Sequence, residues 1–399
     1  MKLLMLIITI SLLLTNCSKE ESLTQTDNSS SPNTADNPTS DNGTADNPTS
    51  DNGISSGTNN FLSLGGSVYI TGSVEKDNKN FSGYWYASSE GFKRVDLKNA
   101  RLTYDIAIEG DTVYVVGENT SGKPSLWINN GEPQTLSVPG NRSGWATGLD
   151  IHNGDIYISG SYYTNKGIAS AYWKNGDFHS LTSNADSEAF DIIFHNNHVI
   201  TVGWYMSHHV VYACYWKNSS RKNLHSSGDG EAYKVVSSGN DFYIAGWTAS
   251  NKSMANVRAT YWKNGGNKKR LSKGTRYQSV GGSESSEARG ITVVDGKVYI
   301  AGKSDYYNMG ESPAYWKGTT IVEPFKNSDE TQDQRVMGII KGIAVLGDKV
   351  LAAGVIDGNL DSYYWDPTKP SLWVDGIRYD LESEGTTSSE VESILAISH

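Results

Sequence analysis

Three glutamates recur in one local setting, Glu188-Ala189, Glu231-Ala232 and Glu287-Ala288. Two carboxyl groups facing each other at about 5 or 7–9 Å are the working pair of glycoside hydrolysis, which is one chemistry these residues could perform. Around them stands a surplus of rings: Trp145, Trp204 and Trp247, with Tyr162, Tyr163, Tyr205, Tyr306 and Tyr307. Flat aromatic faces stack on the apolar faces of sugars and anchor protein partners, so this set points to ligand binding. Other chemistry is poorly provided for. The eight His are scattered, and the neighbours His208 and His209 would point to opposite faces of a strand, which suits no metal ion. There is no phosphate loop, dinucleotide fingerprint or nucleophile motif. Hence no catalytic residue, metal ligand or cofactor is expected. Two Cys exclude a disulfide framework, and Cys214, in an alternating strand pattern, reads as an inert packed thiol.

The elements that must hold these residues are written as a repeat. A Val-Tyr-Ile-x-Gly element or a relative ends at Gly72, Gly117, Gly160, Gly203, Gly246, Gly302 and Gly354, at intervals of 43 to 56 residues. Each is followed by a Tyr-Trp element or its equivalent, at Trp85, Trp127, Trp173, Trp216, Trp262 and Trp316, and then at Trp365 or Trp373. Lys-Asn-Gly follows the Trp in the clearest copies (Lys174-Asn175-Gly176, Lys263-Asn264-Gly265), and Asn-Gly accepts the positive φ angles of a type I′ hairpin turn. A second tight turn, as at Asp295-Gly296, precedes the Val-Tyr strand. Each unit is therefore a four-stranded antiparallel meander, A to D, and a period of 40–50 residues with four strands is the pattern of a β-propeller.

The fold class expected is all-β: one seven-bladed β-propeller over residues 61–399. The opening Glu-Ala of strand A recurs at the chain end as Glu390-Val391, so residues 390–398 are expected to close blade 1, with Phe61–Leu64 competing for the slot. The Tyr-Trp-Lys-Asn-Gly copies resemble those of a family of secreted bacterial seven-bladed propellers and, more loosely, the HAF-type extracellular repeat. That resemblance implies fold and envelope location only. The chain departs from the WD repeat and from the sialidase Asp box.

Two segments precede the repeats. Residues 1–17 combine Lys2, the apolar run Leu3 to Leu14 and a terminal Leu14-Thr15-Asn16-Cys17. Twelve helical residues rise about 18 Å, too little for a bilayer core of about 30 Å, so this reads as a secretory signal. It resembles the bacterial lipoprotein signal, which implies acylation of Cys17 and attachment to the membrane through that lipid alone. Ser18-Lys19-Glu20-Glu21 resembles the tag that sends some lipoproteins to the outer face of the outer membrane, implying surface display. Residues 18–60 repeat the decapeptide Thr34–Gly43 as 44–53 and are too polar to form a core, so they are expected to be a disordered stalk. The stalk carries a net charge of −6 out of −10 for the chain, and a chain so short of clustered Lys and Arg has no footprint for nucleic acid.

What varies between blades should carry function. The surplus rings fall in B–C loops or D–A crossings, which emerge on one end of a meander. An aromatic sector on blades 3–6 is therefore expected, rimmed by Glu188, Glu231 and Glu287. The reading is a non-enzymatic module for an extracellular glycan or glycoprotein. A structural subunit of an outer-membrane complex is the alternative, and a glycan-cleaving enzyme the less favoured one.

Overall fold

The computed structural model describes residues 65–88, 91–182, 186–226, 228–249, 257–272, 285–305, 311–322, 338–357, 368–381 and 386–398. These form seven four-stranded antiparallel sheets, each a simple meander. The seven A strands, in blade order from 2 to 7 and then 1, are Ala100–Glu109, Gly144–His152, Ser187–His195, Gly230–Ser238, Ser286–Val294, Gly338–Leu346 and Thr386–Ser398. The last of these pairs antiparallel with Gly66–Lys76, so blade 1 is closed by the C-terminal strand. Phe61–Leu64 lies outside the described residues. Trp373 stands opposite Ala352 in blade 7 as Trp173 stands opposite Ile158 in blade 3, which makes it the blade-7 core Trp; Trp365 lies outside the described residues.

The residues that made the repeat visible are engaged in the fold. All seven strand-C Trp are at most 1% exposed. The indoles of Trp127, Trp173, Trp262 and Trp316 donate to the carbonyls of Lys98, Ser137, Leu224 and Ser272, each just beyond the outer strand of the preceding blade. Each of these rings thus fills a seam between blades and latches it with one hydrogen bond, worth about 1 kcal/mol net. Asn175 and Asn264 take left-handed backbone (φ 50° and 54°), and their side-chain oxygens accept the N–H of Ile156 and Phe242, fixing the C–D turn to strand B. The adjoining Lys174 and Lys263 pair with Asp155 and Asp241 at 2.8 and 2.7 Å. Cys214 is fully buried and burial pushes its thiol well above the usual range, as suits an inert group.

One feature of every A strand positions the site. The register with strand B slips by one residue at the same place in all seven blades, a β-bulge. Opposite stands the repeat glycine. A Cβ on any of Gly72, Gly117, Gly160, Gly203, Gly246, Gly302 or Gly354 would run into the carbonyl oxygen of the residue two before the bulge. The invariant Gly is therefore the imprint of the bulge.

Candidate functional site

Because the bulges coincide, the inner wall can be read as three tiers. The extra residues themselves are Glu392, Tyr104, Thr147, Phe190, Tyr233, Arg289 and Lys341, from blades 1 to 7, and all seven are partly exposed. Two residues earlier, towards the start of the strands, stand Glu390, Leu102, Trp145, Glu188, Glu231, Glu287 and Ile339. One residue later stand Ser393, Asp105, Gly148, Asp191, Lys234, Gly290 and Gly342.

The last tier is a closed neck. Lys234 of blade 5 reaches Asp105 of blade 2, across the ring, at 2.9 Å and Asp191 of blade 4 at 3.2 Å. Asp105 also accepts the N–H of Leu149, and Asp191 that of Val235, tying successive inner strands together. Burial, aided by Asp105 against the pull of Lys234, pushes Asp191 up to about 7. Burial alone would lower Lys234, but the two carboxylates outweigh it and hold the ammonium charged. Where the neck carries Gly instead, the inner strands approach closely: a Cβ on Gly342 would meet the backbone of Ile394 at 2.8 Å.

Above the neck, charge and rings converge. The Arg289 guanidinium lies 3.8 Å over the Tyr233 ring and binds Glu287 through Nε and Nη2 at 3.0 and 2.6 Å. Lys303 adds a second cation to Glu287 at 3.5 Å. Burial pushes Glu287 up, but these two cations outweigh it and hold the carboxyl below its usual range. Lys341 joins Glu390 and Glu392 at 3.0 and 2.7 Å. Phe190 packs on Tyr233 with centroids 5.2 Å apart. The Tyr233 hydroxyl donates to Glu231 and accepts from the Trp247 indole at 3.0 Å. Burial raises Glu231, and raises the Tyr104 and Tyr233 hydroxyls well above 10.

Glu188 differs from its two counterparts. It is 4% exposed, and its Oε1 has no hydrogen-bond partner. Burial, then the nearby Glu231, pushes its carboxyl up to about 8, against a smaller pull from the Trp204 indole.

The rings expected from the sequence do not form one open sector. Trp145 and Tyr163 do meet, edge to face at 5.4 Å, and Tyr163 is 51% exposed. Tyr205 is half-buried beneath Arg221 at 3.3 Å, and Trp204 stands directly opposite Glu188. Tyr162 and Trp247 are buried, which corrects their placing on a binding face. Tyr162 packs edge-on against Phe178 in the seam between blades 2 and 3, and Trp247 packs with Ala249 and Val257. Alternation along the strand explains the split between Tyr162 and Tyr163: consecutive residues cannot share a face. Tyr306 and Tyr307 lie outside the described residues. The three glutamates belong to the axial wall rather than to an outer rim. His208 and His209 form the left-handed turn of a hairpin (φ 50° and 62°) rather than a strand. Among the described residues no group of three or more His, Cys, Asp or Glu is placed to hold a metal ion.

The residues missed from sequence are the bulge tier, above all Tyr104, Tyr233, Arg289 and Lys341. For Tyr233 and Arg289 the signal was the position two after each Glu of Glu-Ala, where the residue type changes from blade to blade; Tyr104 and Lys341 follow Leu102 and Ile339 and had no such marker.

Fold and site together define a seven-bladed propeller with an axial recess that the Lys234 ion pairs cross at the neck. No family model matches the chain, and no curated protein sequence matches it. Among solved structures it is similar to a polysaccharide lyase of family PL25, an ulvan lyase bound to a GlcA(1-4)Rha3S oligosaccharide, at 11% identity and TM-score 0.46, over 80% of this chain and 92% of the lyase. It is similar to an acylaminoacyl peptidase of Pyrococcus horikoshii at 13% identity and TM-score 0.47, over 80% of this chain and 50% of the peptidase. A GH43 endo-arabinanase from Bacillus licheniformis follows at 12% identity and TM-score 0.27, over 53% of this chain and 91% of the enzyme.

Proposed function

We propose that this chain is a lipoprotein, acylated at Cys17 and displayed at the cell surface on residues 18–60, whose axial recess binds an extracellular glycan without cleaving it. The observation that carries the reading is the recess itself. Polar and aromatic side chains from all seven blades converge above a neck closed by Lys234, the arrangement of a small-molecule site with rings for contact and a few polar groups for orientation. Trp145, Phe190 and Tyr233 offer aromatic surface; Glu188, Arg289 and Lys341 offer hydrogen bonds.

Binding is favoured over cleavage by the state of the carboxyls. A two-carboxylate hydrolase needs one free carboxylate and one acid. Glu287 is committed to Arg289 and Lys303, and Glu231 to the Tyr233 hydroxyl, which leaves Glu188 as the one glutamate of the three with a buried oxygen that has no partner.

A glycan array probed with the full-length chain tests the recess. Binding to at least one oligosaccharide, weakened about tenfold or more by Trp145→Ala or Phe190→Ala and without turnover of that oligosaccharide, is expected. An empty array rejects the reading, and turnover abolished by Glu188→Gln would make the protein an enzyme. Incorporation of a palmitate analogue, lost in Cys17→Ala, and removal by protease on intact cells test the anchoring and the display separately.

A further inference from the structure

The recess is a dead end, and one group on its wall is unsatisfied. Glu188 occupies the upper tier of blade 4 at the inner end of the seam with blade 5. Its Oε1 is buried with no hydrogen-bond partner, although a buried polar atom left unpaired is costly and such atoms are concentrated where something else completes them. The groups that face it from each packed element are Glu231 on the inner strand of blade 5, Asp186 on the approach to its own strand, Trp204 on the neighbouring strand, and Tyr104 from blade 2. None is a cation. Its counterpart in blade 6 sits between Arg289 and Lys303, and its counterpart in blade 5 holds the Tyr233 hydroxyl, so Glu188 is the least compensated of the three.

Resting on the reading of the recess as a glycan site, we propose that Glu188 is its specificity-determining contact: a carboxylic acid that hydrogen-bonds a hydroxyl of an uncharged terminal sugar entering end-on. The neck beneath forbids a polymer from threading through, so only a chain end or a single protruding residue reaches the wall. Nothing holds Oε1, so rotating the side chain to present it breaks no protein hydrogen bond on that atom. A neutral acid both donates and accepts, as a sugar hydroxyl does, whereas an ionised carboxylate only accepts. A charged uronate would bring a further anion beside the carboxyls of Glu231 and Asp186, and is disfavoured there.

The test uses the intrinsic Trp fluorescence of the full-length chain, because Trp204 lies directly opposite Glu188. D-glucose, D-galactose, D-mannose, L-rhamnose and L-fucose are titrated at pH 6.5 and pH 9. At least one should give a saturable change at pH 6.5, about tenfold weaker in Glu188→Ala and within about twofold of wild type in Glu188→Gln. Since burial holds the carboxyl at about 8, wild type should lose most of its binding at pH 9 while Glu188→Gln keeps it. A silent panel, an unchanged Glu188→Ala, or wild-type binding equal at both pH values overturns the inference. Oligosaccharide binding that falls in Trp145→Ala but survives in Glu188→Ala overturns this inference alone and leaves the recess standing; an empty array removes both. A thermal melt of Glu188→Ala at pH 6.5 establishes that its loss is not loss of fold, and the binding kept by Glu188→Gln separates the two in any case.

Discussion

Blades 4 and 6 open their inner strands with the same Ser-Glu-Ala, in the same register against strand B, yet treat the glutamate in opposite ways. In blade 6 the bulge residue is Arg289 and the residue across the ladder is Lys303, so Glu287 is ionised and held on both sides. In blade 4 those two places are taken by Phe190 and Trp204, so Glu188 keeps its proton. Blade 5 lies between the extremes: Tyr233 gives Glu231 a hydroxyl, and Trp247 faces it across the ladder. A repeated fold thus delivers one carboxyl to three equivalent points, and two neighbours decide whether it is a structural anion or a neutral hydrogen-bonding group. The neighbours, not the glutamate, carry the information.

Breaking blade 6 should cost most. Arg289→Ala removes the guanidinium that binds Glu287 and covers Tyr233, and stranding one partner of a largely buried pair costs about 3 kcal/mol. Urea unfolding measures it, and a loss below about 1 kcal/mol would mean that Lys303 alone satisfies Glu287. Relieving blade 4 should act in the other direction and depend on pH. The Glu188 carboxyl is raised from 4.5 to about 8 in the fold, so between those values the unfolded chain has given up a proton that the native protein still holds. Wild-type stability therefore falls as pH rises through that window. Glu188→Gln has no such dependence, so its melting temperature should pull ahead of wild type from pH 5 to pH 8 and level off above. A gap that narrows with pH would mean that Glu188 is ionised in the fold. The smallest effect belongs to blade 5. Tyr233→Phe deletes the donor to Glu231 and the acceptor for the Trp247 indole while keeping the ring under Arg289, for about 1 kcal/mol. The same urea titration measures it, and a loss as large as that in Arg289→Ala would place the weight of the wall on blade 5 instead.

Blade number, strand order and the closing strand were legible because each rests on a residue type that the backbone demands. Asn-Gly marks a left-handed turn, the strand-C Trp marks a seam, and Glu390-Val391 copies an opening seen three times before. The bulge tier was hidden for the opposite reason. A bulge demands a glycine on the facing strand but nothing of the extra residue, so Tyr104, Phe190, Arg289 and Lys341 share a place and no chemistry. Rings were over-read because Trp and Tyr suit seams and surfaces equally well. Tyr162 and Tyr163 are adjacent in the chain, and only strand phase sends one inward and the other to solvent.

The pairing that closes the ring also sets a clock. Thr71 and Ser393 share a hydrogen bond across 322 residues of chain, so the first blade can be finished only by a strand made that much later. At synthesis rates of roughly 5–20 residues per second, Gly66–Lys76 waits about 15–70 s for Thr386–Ser398 to exist. Through that interval it presents an unpaired edge open to other chains. Blades 2 to 7 take all four strands from consecutive sequence and can form as they emerge. The axial recess, which needs Glu390 and Glu392 opposite Lys341, is complete only when Thr386–Ser398 arrives.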